Sequence, residues 1–325
     1  MVSVATRSRV RLFLGVDVGN GYTNARDIKF KSRVQEVTKA QLELRMDSRN
    51  VKKSEKGLSE THYVVYNGKY YIVGEGEDFV IDGRHTSTSY LLCLLTAIAE
   101  VYKAHEYIDL SVCVGLPADL FLSGDESLKE AMYKAYGGKT FDITVDGREV
   151  AIKMSEFNIY LEGAYPILVD DMREVVVIDM GMGTTNMLKY NNGELIDRAT
   201  VPFGMRGLCV NMAKELNDKK INRRVDWEDI DENFGKRSMM IGREGEVDIS
   251  FLDEHIVSYL TNNIKDYKER FNINNAKAVY IMGGGGLATA EYWKDVIGGV
   301  TLSENAQEVN SKVFDILSQY ALEGE

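Results

Sequence analysis

One eight-residue signature occurs twice in this chain, and each copy follows an apolar run. The copies occupy residues 17–24 and 179–186, and both read Asp-x-Gly-x-Gly-x-Thr-Asn. An apolar run that ends in Asp and two glycines is typical of a buried strand followed by a turn. Two similar strand-to-turn units in separate halves of the chain indicate two similar domains that face one ligand from opposite sides.

The two turns have the composition of phosphate-binding loops. Glycines permit positive φ angles and close approach of an anion, so that several backbone N–H groups can point at one phosphate. A pair of ordinary glycine turns is the alternative, and the repetition argues against it. Asp17 and Asp179, one at each strand end, are placed to hold Mg²⁺ or to orient an attacking water molecule. We predict that the turns bind phosphate through Gly19, Asn20, Gly21, Tyr22, Thr23, Asn24, Gly181, Met182, Gly183, Thr184, Thr185 and Asn186.

Composition narrows the class of protein. With 325 residues and 44% apolar content, the chain is long enough for two domains with buried cores. A formal net charge of −11 argues against direct nucleic-acid binding, which needs many Lys and Arg contacts to phosphate. The three cysteines are far apart and no CxxC pair occurs, so we expect a cytoplasmic protein without a structural zinc site. No run is long enough to span a membrane, and we expect no membrane partner.

Turn signals and apolar periodicity predict the main elements. Hairpins are expected where Asn or Asp precedes Gly between β-prone runs, at 67–68, 146–147 and 192–193. Two regions, about 26–84 and 217–250, are polar and charged, and we interpret them as small inserted subdomains. A strand is expected over residues 10–18, and helices over residues 87–105, 127–136, 205–216, 251–271 and 303–322.

Four consecutive glycines follow a further predicted strand, residues 278–282, and a helix is expected to begin near Leu287. Glycine in this setting lets the backbone pack against a flat base or approach a phosphate. For this run alone, a plain glycine turn is an equally good interpretation. Beside two phosphate-binding turns, we assign the run to the adenosine side of a cleft, at Gly283, Gly284 and Gly285.

Together these segments resemble the actin-like ATPase superfamily. Residues 15–24 are similar to its phosphate-1 motif, residues 178–186 to phosphate-2 and residues 281–288 to the adenosine motif. Residues 161–164, Leu-Glu-Gly-Ala, resemble its first connecting helix, and residues 305–310 resemble the start of the second. The order of the five motifs is more specific than any one of them. Within the superfamily the likeness is strongest to the ParM-type bacterial actins that segregate plasmids.

The resemblance implies an α/β chain with the two-domain actin-like (ribonuclease H-like) fold, a nucleotide cleft and two small inserted subdomains. Domain I is expected to comprise residues 1–164 plus 303–325, with its insert at about 26–84. Domain II is expected to comprise residues 165–302, with its insert at about 217–250. The implied ligand is ATP with Mg²⁺, and GTP stays open as the alternative nucleotide.

The same resemblance implies a role for each acidic residue. Asp17 would face the Mg²⁺ shell, and Asp179 is a second metal candidate. Glu162 and Asp179 would polarise the attacking water, whereas the two glycine turns would grip the β- and γ-phosphates. Without the resemblance, a lone Glu in this position reads as a solvated side chain.

The chain departs from the family pattern at three positions. Asn24 stands where many relatives carry Lys, so a direct charged contact to phosphate is missing there. Met182 and Asn186 stand where many relatives carry Gly and Asp. At Met182 the phosphate contact has to come from a backbone N–H in ordinary L-residue geometry.

The function that the resemblance implies is an ATP-dependent filament protein. Nucleotide would favour a closed, polymerising arrangement, and hydrolysis would weaken the subunit contacts. Such filaments would move plasmid DNA through a DNA-binding adaptor protein, with filament contacts in the two charged regions. Two alternatives stay open. A small-molecule kinase would need an acceptor pocket with a base, and a shape or division actin would need an amphipathic membrane-binding segment.

Overall fold

Two separate sheets flanked by helices make up the structure, a computed structural model that describes residues 12–52, 61–78, 83–168, 173–219, 224–242 and 245–323. The predicted α/β class is therefore confirmed. Within these ranges, no helix is both long enough and apolar enough to cross a bilayer.

The first sheet has ten strands, and its centre is parallel. They are β1 (Leu12–Val18), β2 (Tyr22–Ala25), β3 (Ile28–Lys31), β4 (Arg33–Val37), β5 (His62–Tyr66), β6 (Lys69–Val73), β7 (Glu77–Asp78), β8 (Tyr107–Leu116), β9 (Thr140–Val145) and β10 (Arg148–Leu161). The strand order is β3-β2-β1-β8-β10-β9-β5-β6-β4-β7. Strands β1, β8 and β10 run parallel, so their carboxyl ends meet at one edge.

The second sheet has five strands and repeats this plan. Its members are β11 (Val175–Met180), β12 (Thr185–Asn191), β13 (Glu194–Val201), β16 (Ala278–Met282) and β17 (Thr301–Leu302). Between β13 and β16 in the chain, β14 (Ser238–Ile241) and β15 (Gly245–Asp248) form a separate two-stranded hairpin. The order is β13-β12-β11-β16-β17. As in the first sheet, an antiparallel hairpin borders a parallel centre, here β11 with β16.

Ten α-helices connect and cover the sheets in the described ranges. They are α1 (Lys39–Lys52), α2 (Thr88–Val101), α3 (Ala118–Phe121), α4 (Ser127–Tyr136), α5 (Met205–Asp218), α6 (Trp227–Glu232), α7 (Asp253–Arg270), α8 (Gly283–Ala288), α9 (Ala290–Ile297) and α10 (Val309–Glu323). The most buried of them, α2, begins where the Ser87 hydroxyl accepts the N–H of Tyr90 over 3.2 Å. Its apolar residues then pack into the core of the first sheet.

Three larger apolar cores hold these layers together, and a smaller cluster of Leu42, Tyr63 and Ile72 joins α1 to β5 and β6. One lies around α2 and the first sheet, and a second lies between the second sheet and α5 and α7. The third contains Cys113 and Leu161 from the first sheet, Val177 from the second, and Val313 and Phe314 from α10. Because this core takes side chains from both sheets, the C-terminal helix joins them.

Most of the predicted elements are present. The three hairpins at 67–68, 146–147 and 192–193 are confirmed as β5–β6, β9–β10 and β12–β13. The helices predicted over 87–105, 127–136, 205–216 and 251–271 correspond to α2, α4, α5 and α7, and the last predicted helix begins later, at Val309. The predicted first strand begins at Leu12 in the described part of the chain.

The two charged regions do not behave alike. In region 26–84, β5 pairs with β9, so this segment extends the first sheet instead of forming its own. Region 217–250 contributes α6 and the β14–β15 hairpin, and Ile230 of α6 packs into the second core. Residues 53–60, 79–82, 220–223 and 243–244 of these regions, and 1–11, 169–172 and 324–325 of the predicted domains, lie outside the described residues. The domain limits at 164 and 303 stay predictions.

Gly15 allows α10 to rest on β1 without a gap. Its N–H donates to Asp315 Oδ1 over 3.0 Å, and a Cβ added there would overlap the backbone of Ser311 and Asp315. We expect Gly15→Ala to lower the free energy of unfolding by about 3 kcal/mol, because neither backbone can move aside. Gly299→Ala, where a Cβ meets nothing within 4 Å, is the matched control. Urea titration measures both, and equal stabilities would contradict the prediction.

Candidate active site

The two copies of the signature form hairpins of the same register. In the β1–β2 hairpin Asp17 pairs with Asn24, and in the β11–β12 hairpin Asp179 pairs with Asn186. One step closer to the turn, Val18 pairs with Thr23 in the first hairpin, and Met180 pairs with Thr185 in the second. The repeated sequence therefore encodes a repeated backbone geometry, in which an amide lies across the ladder from each carboxylate.

Both turns are closed by the same hydrogen bond. The N–H of Gly19 donates to the Tyr22 carbonyl over 3.0 Å, and the N–H of Gly181 donates to the Thr184 carbonyl over 2.9 Å. Two backbone N–H groups in the middle of each turn donate to no acceptor among the described residues. They belong to Asn20, Gly21, Met182 and Gly183. Such a set of backbone donors suits an anion.

The glycines of the turns serve close packing. Although glycine permits a positive φ, none of the four glycines in these turns has one. The two turns instead touch each other across the cleft. A Cβ on Gly21 would lie 2.9 Å from Met182 Cβ, and one on Gly183 would lie 3.1 Å from Asn20 Nδ2. Side chains at these two positions would push the turns apart.

A cavity of about 390 Å³ opens between the turns, a volume typical of small-molecule sites. It brings together most of the predicted residues: Asp17, Gly19, Asn20, Gly21, Tyr22, Asn24, Glu162, Asp179, Gly181, Met182, Thr184, Asn186, Gly283, Gly284 and Gly285. Three predicted residues do not line it. Gly183 lies behind Asn20, whereas Thr23 and Thr185 are fully buried, with hydroxyls bonded to Ser32 Oγ (2.9 Å) and to the Phe203 carbonyl (2.8 Å).

Glu162 reaches the cavity from a turn. The prediction of a helix over residues 161–164 was wrong, because β10 runs to Leu161 and a 3₁₀ helix starts only at Tyr165. Between them Gly163 has φ +85°, and a Cβ there would overlap Leu188. This left-handed residue stops a helix and turns the chain beneath the second sheet. The carboxylate of Glu162 then accepts a hydrogen bond from Asn186 Nδ2 over 3.0 Å.

Asn310, near the start of α10, holds the other side of the site. Its Nδ2 donates to Asp179 Oδ2 over 3.0 Å, and its Oδ1 accepts the N–H of Gly163 over 2.9 Å. One amide side chain therefore fixes both Asp179 and the turn that carries Glu162. The sequence motif at residues 305–310 contained this residue, but the site prediction did not include it.

Burial raises the pKa of the three carboxyl groups of Asp17, Glu162 and Asp179, and neighbouring charges raise that of the first two further. Burial, then the charges of Glu162 and Asp179, hold the pKa of Asp17 well above its usual range. Burial and the neighbouring Asp179 raise the pKa of Glu162 to about 7. Burial also raises the pKa of Asp179, although hydrogen bonds from Asn310 and Asn186 oppose the change. The site therefore favours a bound cation, which would relieve the repulsion.

Magnesium fits this donor set. Mg²⁺ prefers carboxylate and water oxygens, and Asp17 and Asp179 supply carboxylates at the ends of β1 and β11. Two basic side chains that the sequence analysis missed, Lys29 and Arg84, also line the cavity. No motif marks either of them, since both lie in region 26–84, which we interpreted as a small inserted subdomain.

The glycine run forms the first turn of α8, so the predicted turn before a helix at Leu287 was wrong. Gly283 has φ +83°, and a Cβ there would overlap the Met180 carbonyl; one on Gly285 would lie 2.8 Å from Met180 Cγ. The glycines are therefore needed for α8 to lie against β11. Gln307 borders this wall, 3.2 Å from the position of a Cβ on Gly284.

Comparisons with known proteins agree with this architecture. Residues 15–164 match the family model for the N-terminal domain of actin-like proteins. An archaeal actin homolog crystallised with ADP superposes with a TM-score of 0.71 at 17% identity, over 95% of this chain and 99% of that one. Actin-like protein Alp7A gives 0.70 at 16% identity, over 96% and 97%. A 15-stranded ParM filament from Clostridium botulinum gives 0.74 at 15% identity, over 95% and 99%.

No sequence among the curated proteins gives a significant match. The chain nevertheless has the actin-like two-domain fold, and the resemblance to that superfamily is confirmed. More particularly, residues 15–164 are similar to the N-terminal domain of actin-like proteins.

The raised pKa of Glu162 predicts how stability changes with pH when no nucleotide or metal is added. The folded protein keeps the Glu162 proton up to about pH 7, whereas the unfolded chain releases it near its ordinary pKa of 4.5. This contribution is complete below pH 4.5 and is lost as pH rises through 7. We expect Glu162→Gln to reduce the loss of unfolding free energy between these pH values by about 1–3 kcal/mol.

Chemical denaturation at a series of pH values measures this dependence. Glu130→Gln, at an exposed position on α4, is the matched control and should keep the wild-type slope. A Glu162→Gln slope equal to that of the wild type would contradict the prediction.

Proposed function

We propose that this protein is an ATP-dependent, filament-forming actin-like ATPase that segregates plasmid DNA through a DNA-binding adaptor. One observation carries the nucleotide part of the proposal: two turns of the same register face each other across a cavity that is also lined by four carboxylates. The filament part is supported by structural neighbours that include filaments of ParM and of Alp12. The choice of ATP over GTP in this proposal rests only on the resemblance to the superfamily.

The proposed hydrolysis uses the residues of this cavity in separate roles. Mg²⁺, when bound, would supply positive charge beside the phosphates, with Asp17 and Asp179 as its protein ligands. Asn186 holds Glu162 Oε2, so the other carboxylate oxygen can accept a proton from the attacking water. A pKa near 7 suits this proton transfer. Asn310 keeps Asp179 in place, so we assign both amides a positioning role.

Ion pairs join the strands β3 and β4 of the first sheet to α6 on the other side of the cleft. Arg33 of β4 pairs with Glu228 of α6 over 3.1 Å, and its guanidinium lies 5.7 Å from the centre of the Trp227 ring. Lys31 approaches Glu232 of the same helix to 3.8 Å. A nucleotide touching both turns would bring these partners together. Closure and nucleotide binding would therefore stabilise each other.

The structure offers candidate contact residues in both charged regions. Leu44 of α1 is 68% exposed and Met240 of β14 is 69% exposed, so each presents a large apolar side chain to solvent. One lies in region 26–84 and the other in region 217–250, where we placed the filament contacts. We propose that they contribute to contacts between subunits.

The first test of this function is polymerisation. With Mg-ATP, we expect purified protein to scatter light and to pellet above a critical concentration, because the nucleotide favours the closed arrangement. Ultracentrifugation measures the pelleted fraction, and electron microscopy distinguishes filaments from aggregate. A protein that binds ATP but stays monomeric at concentrations of tens of micromolar would contradict the filament proposal and favour a small-molecule kinase.

A pair of matched variants sharpens this test. Met240→Asp introduces a charge at the proposed contact, whereas Ile196→Asp makes the same change at a site on β13 that is 56% exposed and lies outside both charged regions. The first should raise the critical concentration without changing nucleotide affinity. The second should behave as the wild type.

The role of Glu162 is tested by disassembly. We expect Glu162→Ala to form filaments with Mg-ATP that then fail to disassemble, because the proton acceptor for the attacking water is missing. Phosphate release and the decay of light scattering are measured together. Normal phosphate release by this variant would remove Glu162 from the catalytic role, and Glu130→Gln again serves as the surface control.

A further inference from the structure

The proposed ligand brings negative charge into a cavity whose lining already includes four carboxylates, those of Asp17, Glu162, Asp179 and Asp231. Like charges a few ångströms apart repel strongly in a site with little water. Residues 15–24, which form the first strand-and-turn unit, offer no cation, because this segment contains neither Lys nor Arg. Among the described residues that line the cavity, the basic side chains are those of Lys29 and Arg84.

Arg84 is fixed behind the first turn. The residue is only 6% exposed and lies in the 3₁₀ helix Arg84–Thr86, which precedes α2. Its Nη2 donates to the Val18 carbonyl over 3.0 Å, and its Nη1 donates to Asn20 Oδ1. A guanidinium stays charged at all physiological pH values. A permanent cation is therefore part of the cavity wall.

The surroundings of Arg84 hold this cation in one orientation. Its Nε donates to His85 Nε2 over 3.4 Å. Burial, then the charge of Arg84, lower the pKa of His85 to about 3, so this imidazole is neutral and accepts the bond. Tyr136 donates to the His85 carbonyl over 2.7 Å, and the Tyr90 ring lies 5.6 Å from the imidazole. Such support is typical of a pre-organised binding group.

The two cavity cations occupy different ends of the site. Arg84 bonds to Asn20, whose Nδ2 lies against Gly183, so it reaches the point where both turns meet. Lys29 donates to Gln307 Oε1 over 2.8 Å, and Gln307 borders the glycine-rich wall of α8. Only Arg84 is therefore placed beside the junction of the turns, next to Asp17 and Glu162.

We propose that Arg84 contacts the terminal phosphate of the bound nucleoside triphosphate and sets the preference of the cleft for triphosphate over diphosphate. Guanidinium groups pair with phosphate oxygens through two parallel hydrogen bonds, which gives both charge and geometry. The inference rests on the proposed function, because that function places the phosphates between the turns. In this proposal, Arg84 supplies the positive charge that the neutral Asn24 does not.

The test compares the affinities of Arg84→Gln for Mg²⁺ with a non-hydrolysable ATP analogue and for Mg-ADP. Calorimetry is done below the protein concentration at which scattering rises. We expect affinity for the triphosphate to fall by about 10- to 100-fold, the range for a lost hydrogen bond to a charged group. Affinity for ADP should fall by less than about threefold, because its phosphates keep the backbone donors of both turns.

Arg45→Gln is the matched control, because Arg45 is 56% exposed and pairs with Glu75 over 3.5 Å, away from the residues that line the cavity. It should bind both nucleotides as the wild type does. If Arg84→Gln does not fold, as judged by its thermal transition, Arg84→Lys decides the question. Lysine keeps the charge but loses the fork, so the preference for triphosphate should fall at least about threefold.

The outcomes separate the two proposals. A wild-type protein that binds neither nucleotide would overturn the proposed function. If the wild type prefers the triphosphate and the Arg84 variant keeps that preference, Arg84 does not contact the terminal phosphate. An equal loss for both nucleotides would likewise overturn this inference, because it would assign Arg84 to the shape of the turn alone.

Discussion

The crowding of three carboxyl groups around one cavity is the constraint on which the site depends. Asp17, Glu162 and Asp179 lie at the ends of three strands in two sheets. Loss of solvation raises the pKa of all three, and neighbouring negative charges raise the pKa of Asp17 and Glu162 further. Such a cluster is costly unless protons, cations or hydrogen bonds offset it. The repeated signature places two of these groups in equivalent registers, and the turn at Gly163 adds the third.

The surrounding polar groups offset this cost in two ways, by hydrogen bonds that position the carboxylates and by positive charge. Asn186 and Asn310 donate to the carboxylates and fix their directions, whereas Arg84 brings positive charge into the wall. The signature itself supplies no cation at Asn24, whose Oδ1 is buried without a hydrogen-bond partner among the described residues. Cationic compensation therefore comes from a residue about sixty positions away in sequence, which leaves the signature itself free of basic side chains.

Sequence patterns correctly predicted the features that depend on residues close together in the chain. The Asn-Gly and Asp-Gly turns gave the hairpins, and the doubled signature gave two strand-turn-strand units, because both depend on residues next to each other. The helix expected at Glu162 was wrong because Gly163 takes a left-handed conformation that only its packing against Leu188 explains. Thr23 and Thr185 matched a phosphate motif, yet their hydroxyls serve the fold. Arg84 could not be predicted, since its partners Val18 and Asn20 are distant in sequence and no periodic pattern marks it.

The position of α10 explains why closure and chemistry would be coupled. This helix rests on β1 through Gly15, and its Phe314 fills the core shared by both sheets. At its start Asn310 binds Asp179 on the second sheet and the Gly163 N–H at the end of the first. A rotation of one sheet against the other would lengthen one of these two bonds. The separation of Glu162 and Asp179 would change with it, so the proposed activation of water would depend on a contact that joins the two sheets.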